Sequence, residues 1–561
     1  MKGCRNLRAE SAISDACRLF GRRHYASTLS AWKNNNGDDD MHQRQSKKTR
    51  WQHPMPMKQT IKKIRSSSSH NKSKETTSKQ KQHQHHAPYT KPKSQLFQAP
   101  FSAFISCLPG LEPLLLQEVK YLQSHWLSLN DCKASNLRKG HPHILRGGVK
   151  LTVPSVDHLY TLHLYMGTAS HIYLRLNDDN FEGLPPLFRA RGFPELQRKV
   201  KDLIISQRWD EWLTGSGHSE KEHSLVNVQV HVTTSKSKLM HTKAIEERLK
   251  QTIGELIPNI ASGSDESEAA TAKTVRLMTR IDRDVVQLSL DTSLVPLHRR
   301  GYRLKPHKAP LREDLAYALL MSGGLMPRWD LRPHFSNDSD DSIAAGSLSS
   351  SSRGSNRVLF DPFCGSGTIA IEGASLQLGL PPGRFHPPPL ECTTFCNPAL
   401  WEEMKSKAMS VSSTKQDDPV YVAAGDIDAK ALDAAKANAK RAGVDDCIDF
   451  VKGSFVSHPL LKLQPENGKK SNVLDATHQS LLVVANPPYG KRLSPDETKK
   501  TIYRKLAHVL LSSSSSRRSI DCAMIGKDLR VMREAGIPSL DVAFSTKHGG
   551  LSVVAMTGSL L

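Results

Sequence analysis

The chain has few aromatics and no long apolar run. Phe, Trp and Tyr make up 6% of its 561 residues, and no stretch of about 18 apolar residues is there to span a bilayer. Its nine cysteines are scattered, which offers no disulfide framework and reads as reduced thiols in an intracellular protein. Acids are scarce where bases are plentiful. Residues 1–100 hold 21 Lys and Arg against 6 Asp and Glu, so +15 of the formal +23 sits there. The remaining +8 is a moderate basic excess that suits a polyanionic partner such as nucleic acid.

Residues 1–35 carry Arg5, Arg8, Arg18, Arg22 and Arg23 among Ser, Ala and Leu, with Glu10 and Asp15 as their acids. An arginine-rich, acid-poor start has the form of an organelle transit peptide, so a mitochondrial destination is expected, with plastid, nucleus or cytoplasm as alternatives. Residues 36–98 are mostly Lys, Gln, Ser, His and Asn, cannot bury enough to offset their chain entropy, and are expected to be disordered. Ser-rich insertions at 336–356 and 512–519 read as surface loops. No metal site is expected: the histidines near 83–86 have no fixed geometry, and Cys392 and Cys396 have no second pair nearby.

From 99 to 295 the patterning is that of an α+β region, with strands expected at 101–107, 147–153, 226–232 and 275–281 and helices beginning near 110, 156 and 241. It holds no acid/base cluster, so a binding module is the expectation. The segment Leu297-His298-Arg299-Arg300-Gly301-Tyr302-Arg303 follows. Its cations and tyrosine are expected to meet RNA, with Arg299, Arg300 and Arg303 on phosphates and Tyr302 against a base; the alternative is a solvated linker.

From 296 to 561 helical and strand patterns alternate, as in a parallel sheet covered on both faces. Strands are expected at 357–360, 420–424, 447–451, 481–485, 521–525, 541–545 and 551–556, making a seven-stranded doubly wound α/β sheet closed by an antiparallel strand. The first runs into Asp361-Pro362-Phe363-Cys364-Gly365-Ser366-Gly367-Thr368, where Gly365 and Gly367 permit a tight turn and the next helix offers its N-terminus. No Lys follows Gly367, so the turn lacks what holds β- and γ-phosphates in a P-loop. Asp361 would repel a pyrophosphate and suits an ammonium. The second strand ends at Gly425-Asp426-Ile427-Asp428, where Asp426 can accept ribose hydroxyls and Asp428 can cap a helix. The fourth, Leu482-Val483-Val484-Ala485, breaks into Asn486-Pro487-Pro488-Tyr489, residues a strand ladder cannot use.

Taken in order, the segments 361–372, 425–428 and 486–493 resemble the S-adenosylmethionine-dependent guanine-N2 methyltransferases of large-subunit ribosomal RNA. Cys107-Leu108-Pro109-Gly110-Leu111-Glu112, Gly147-Gly148-Val149 and Ala309-Pro310-Leu311-Arg312-Glu313 match that family too. The resemblance implies a Rossmann-like methyltransferase domain preceded by a ferredoxin-like and THUMP RNA-binding region. It implies S-adenosylmethionine as cofactor, held by Asp361, Pro362, Phe363, Gly365, Gly367, Asp426, Ile427, Ser454 and Asn486, with Asn486, Pro487, Pro488 and Tyr489 as catalytic loop and Lys491 and Arg492 on RNA. In such a loop the Asn486 side-chain oxygen and the Pro487 carbonyl accept both N–H bonds of an exocyclic amine. The nitrogen can then pyramidalise towards the sulfonium methyl, Pro488 stiffens the loop, and Tyr489 stacks on the extruded base. Two positions depart from the family: Ser454 stands where an Asp usually meets the adenine, and His548-Gly549-Gly550 replaces an Asn-Gly.

The substrate so implied is guanine N2 in organellar large-subunit rRNA. Guanine N2 in tRNA, adenine N6 in RNA, and a protein glutamine are alternatives within the chemistry. A catalytically inactive RNA-binding or ribosome-assembly factor is the alternative of another class.

Overall fold

The computed structural model describes residues 100–128, 141–213, 226–257, 273–293, 295–303, 310–327, 329, 357–391, 393–414, 421–461, 480–488, 499–514, 519–534, 536–537 and 540–560. All lie in one of the two compact units into which the chain divides. The expected leader, the linker 36–98 and the insertion 336–356 lie outside the described residues.

The first half runs β1 (Phe101–Ser106), α1 (Glu112–Ser128), β2 (His143–Leu145), β3 (Gly148–Val153), α2 (Val156–Tyr165), β4 (His171–Arg175), β5 (Phe188–Arg189), α3 (Phe193–Ser206), α4 (Trp209–Trp212), β6 (Val226–Ser235), α5 (Thr242–Leu256), β7 (Lys273–Asp282) and β8 (Val285–Asp291). These strands form one sheet ordered β2-β3-β1-β4-β8-β7-β6, with β5 paired to β8. Only β6 and β7 pair in parallel, joined by α5, whose Ile245, Leu249 and Ile253 recur at helical spacing and are buried.

The second half runs α6 (Glu313–Ser322), β9 (Val358–Asp361), α7 (Thr368–Leu378), α8 (Pro398–Thr414), β10 (Val422–Asp426), α9 (Ala429–Ala442), β11 (Ile448–Lys452), β12 (Leu481–Ala485), α10 (Lys499–Ser514), β13 (Ile520–Gly526), α11 (Leu529–Arg533), β14 (Asp541–His548) and β15 (Leu551–Leu560). The sheet order is β11-β10-β9-β12-β13-β15-β14, seven strands as expected. Val358 to Phe360, Val422 to Ala424 and Leu481 to Ala485 are apolar and buried on both faces, as central parallel strands must be. β15 runs antiparallel between β13 and β14. The strand order reverses between β9 and β12, so the crevice at their carboxyl ends is where such a sheet receives a ligand. β10 starts two residues later than expected and therefore carries Asp426 as its last residue. The serine-rich stretch at 512 begins inside α10, which it closes.

The halves share a packed boundary. A Cβ on Gly167 would stand 2.3 Å from the Tyr317 ring, so α6 lies directly on the loop after α2. Trp329 packs at 5.0 Å on Tyr165 and 5.9 Å on Tyr121. The insertion between α7 and β10 serves as a bracket onto the first half: the Gly383 amide donates to the Leu164 carbonyl at 2.7 Å, and the Asn397 amide to the Tyr160 hydroxyl at 2.9 Å. Trp401 meets Tyr160 edge-on at 5.6 Å.

Candidate active site

β9 delivers Asp361 to the switch point fully buried. Its Oδ1 accepts the Phe363 amide at 3.2 Å, while its Oδ2 is buried without a hydrogen-bond partner among the described residues. Burial drives its acidity down, aided by the nearby Asp426 carboxylate and opposed by the Phe363 amide; its pKa is pushed up to about 8. A carboxyl held in this way calls for a cation or a strong donor from a ligand.

The turn after it is left-handed at Gly365 (φ 53°) and Gly367 (φ 86°), conformations that side-chain-bearing residues resist. Gly367 must also be bare because a Cβ there would lie 3.0 Å from that of Ala435 on α9. A Cβ on Gly365 would meet nothing within 4 Å, so this side of the turn is open. Pro362 is buried and Phe363 half-buried, with the Phe363 ring 5.0 Å from that of Phe455.

Asp426 closes the turn from the neighbouring strand. Its Oδ2 accepts the Gly365 amide at 2.9 Å and its Oδ1 the Asp428 amide at 2.9 Å. Each oxygen keeps a further lone pair, so ribose hydroxyls can still be accepted. Asp428 caps α9, as expected, taking the Lys430 amide at 2.9 Å. Ile427, between them in the chain, is 75% exposed, an apolar side chain at the rim of the turn. Ser454 is exposed, and its hydroxyl caps the short helical turn 455–457 by accepting the Val456 amide. Below that turn His458 is buried over Phe360, ring centroids 4.4 Å apart, and burial lowers its pKa to about 4, so it is neutral.

β12 places Asn486 across the switch point from Asp361. The residue is half-buried, and its Oδ1 is buried with no partner among the described residues. Pro487 is buried and Pro488 half-buried. Tyr489, Lys491 and Arg492 lie outside the described residues. An orphaned acidic oxygen on one strand end and an orphaned amide oxygen on the adjacent one fit S-adenosylmethionine together with a substrate amine: the first suits the donor's ammonium, the second an N–H.

The expected RNA contacts at 299–303 need correction. Arg299 alone is exposed. Arg300 is 1% exposed and donates to the Gly167 carbonyl at 2.6 Å, with Glu372 at 3.6 Å. Tyr302 is buried and donates to Glu372 Oε1 at 2.8 Å. Arg303 donates to the Leu311 carbonyl at 2.8 Å and to Thr368 Oγ1 at 2.9 Å, with Glu313 at 3.2 Å. Their carboxylate partners on α6 and α7 draw these groups inward, so the segment is neither a phosphate clamp nor a solvated linker but a strut between the halves. Glu372, Asn438 and Arg441 complete that network and were not anticipated; nothing in a helix such as α9 marks one Asn among its Lys and Ala as a tie.

Fold and site together define a Rossmann-like methyltransferase domain. Residues 340–537 match the family described as RMKL-like, methyltransferase domain. The ribosomal RNA large subunit methyltransferase K/L of Syntrophotalea carbinolica is 26% identical over 415 residues, 73% of this chain and 47% of that protein. The protein of the same name from Pseudomonas paraeruginosa is 26% identical over 74% of this chain and 47% of its own length. The chain thus spans about half the length of these curated relatives. Among solved structures, SMU.472, a candidate methyltransferase complexed with S-adenosylhomocysteine, superposes with TM-score 0.58 at 17% identity over 82% of this chain and 98% of its own. The resemblance read from the motifs is matched in these comparisons: the chain is similar to the large-subunit ribosomal RNA methyltransferases over about three quarters of its length.

Proposed function

We propose that the protein transfers a methyl group from S-adenosylmethionine to the exocyclic N2 amine of a guanine in large-subunit ribosomal RNA, in an organelle. The observation that carries this reading is the pair of orphaned buried acceptors, Asp361 Oδ2 and Asn486 Oδ1, on adjacent strand ends at the switch point. When bound, the cofactor supplies an electrophilic sulfonium methyl. Asp361 would hold its ammonium, the open side of the Gly365 turn would admit the donor, Asp426 would accept the ribose hydroxyls and Ile427 would cover the adenine face. Ser454 already accepts one amide as a cap, which leaves its second lone pair and its O–H for a ligand.

Asn486 does the work on the substrate. A nucleobase amine is a poor nucleophile because its lone pair is delocalised into the ring. Accepting one N–H on Asn486 Oδ1 and the other on the Pro487 carbonyl localises that pair and aims it. Asn486 is neutral, so it aligns the amine and does not abstract the proton, which becomes acidic once the methyl is attached. The first half, read as THUMP-like, would capture the RNA, and the arginine-rich residues 1–35 support mitochondrial import.

Nucleoside mass spectrometry of rRNA and tRNA from organelles of cells lacking the protein tests this. N2-methylguanosine should fall in rRNA and return with wild type but not with Asn486→Ala. Loss confined to tRNA, or of N6-methyladenosine, would overturn the substrate; rescue by Asn486→Ala would overturn the mechanism.

A further inference from the structure

We propose that Arg303 and Asn438 are positioning residues for the cofactor turn, gripping it on both sides of Gly367 and anchoring it to the strut from the first half. This rests on the methyl-donor reading of that turn. On one side, the Arg303 guanidinium bonds Thr368 Oγ1, at the first residue of α7, at 2.9 Å. On the other, Asn438 Nδ2 donates to the Ser366 carbonyl at 3.0 Å, and Arg441 bonds Asn438 Oδ1 while its Nε donates to the Tyr302 carbonyl at 2.8 Å. Both relays start at neighbouring strut residues, Tyr302 and Arg303. They end on neighbours of the same glycine.

Two features say that these ties do more than fill space. A cation beside a helix N-terminus opposes the helix dipole, and here the Glu313 carboxylate at 3.2 Å offsets that repulsion, so a dedicated counter-ion accompanies Arg303 at this position. And a turn with two glycines in three residues has wide conformational freedom, which a ligand must remove on binding unless the protein has removed it first. Holding Ser366 and Thr368 fixes the turn in its open-sided form before the donor arrives.

The test uses the full chain with Arg303→Ala, Arg303→Lys, Thr368→Val and Asn438→Ser. S-adenosylmethionine affinity by calorimetry should fall on the order of tenfold in Arg303→Ala, as loss of a charged hydrogen bond implies, and less in the other three. KM for the donor should rise in step while kcat at saturating donor stays within about twofold. Hydrogen exchange without cofactor gives an independent readout: the Gly365 and Gly367 amides, bonded to Asp426 and to the Cys364 carbonyl, should exchange faster than in wild type. Wild-type exchange and wild-type affinity in variants with unchanged unfolding temperature would overturn the proposal. If Arg303→Ala does not fold, Thr368→Val and Asn438→Ser decide by the same readouts. A wild-type protein that binds no S-adenosylmethionine would sink the methyl-donor reading instead, and the exchange experiment would still judge the ties.

Discussion

At the residue scale the site is defined by buried polar atoms that have no partner among the described residues. Asp361 is the clearest, because a buried carboxyl with one free oxygen carries a measurable cost. Its pKa is about 8 in the folded chain, against an ordinary value of 3.8. Between those values the unfolded chain ionises the group while the folded chain keeps it protonated, so folding stability falls as pH rises from about 4 to about 8 and levels off above. Asp361→Asn should remove this part of the slope. Denaturant unfolding of ligand-free protein at pH 5 and pH 8 checks it: wild type should lose more stability than the variant over that interval, while the variant should lose donor binding. An equal pH dependence in both proteins would mean that Asp361 is ionised throughout.

At the element scale, glycines separate close approach from mere permissiveness. Gly167 lies against the Tyr317 ring, so Gly167→Ala forces α6 off the loop after α2 and should destabilise by about 1–3 kcal/mol, as overpacking does. Gly254 sits exposed inside α5, where an added Cβ would meet nothing within 4 Å, so Gly254→Ala should stabilise by about 0.5–1 kcal/mol. Urea unfolding of both variants measures the pair. Elements were legible in the sequence wherever burial on two faces leaves an unbroken apolar run, as in Leu481 to Ala485, and wherever a turn demands glycine, as at Gly365 and Gly367. Helix α3 has no counterpart among the expected elements, although Leu196, Val200, Leu203 and Ile204 repeat at helical spacing and are all buried. β4 leaves little signal in the sequence, because its His171, Tyr173 and Arg175 alternate with only two aliphatic residues. The strut was misread for a different reason. The partner that buries Tyr302 is Glu372, 70 residues on, and a local cluster of cations carries no sign of where its carboxylates will come from.

At the scale of the whole molecule, the two halves meet through a common boundary of rings, glycines and buried charge, while much of the positive charge lies elsewhere. Because +15 of the +23 resides in residues 1–100, removing residues 1–98 should flatten the dependence of log RNA affinity on log salt and weaken binding most at low salt, with donor affinity unchanged. A filter-binding series over salt concentration reads this directly. In the proposed function, methyl transfer turns on Asn486 at the end of β12. Purified protein incubated with methyl-labelled S-adenosylmethionine and large-subunit rRNA, followed by digestion to nucleosides, should place the label in N2-methylguanosine. Asn486→Ala should lower the rate by on the order of 10², as removal of a positioned polar group at a reacting centre does, without loss of donor binding. Label at the wild-type rate from the Asn486→Ala protein would contradict it.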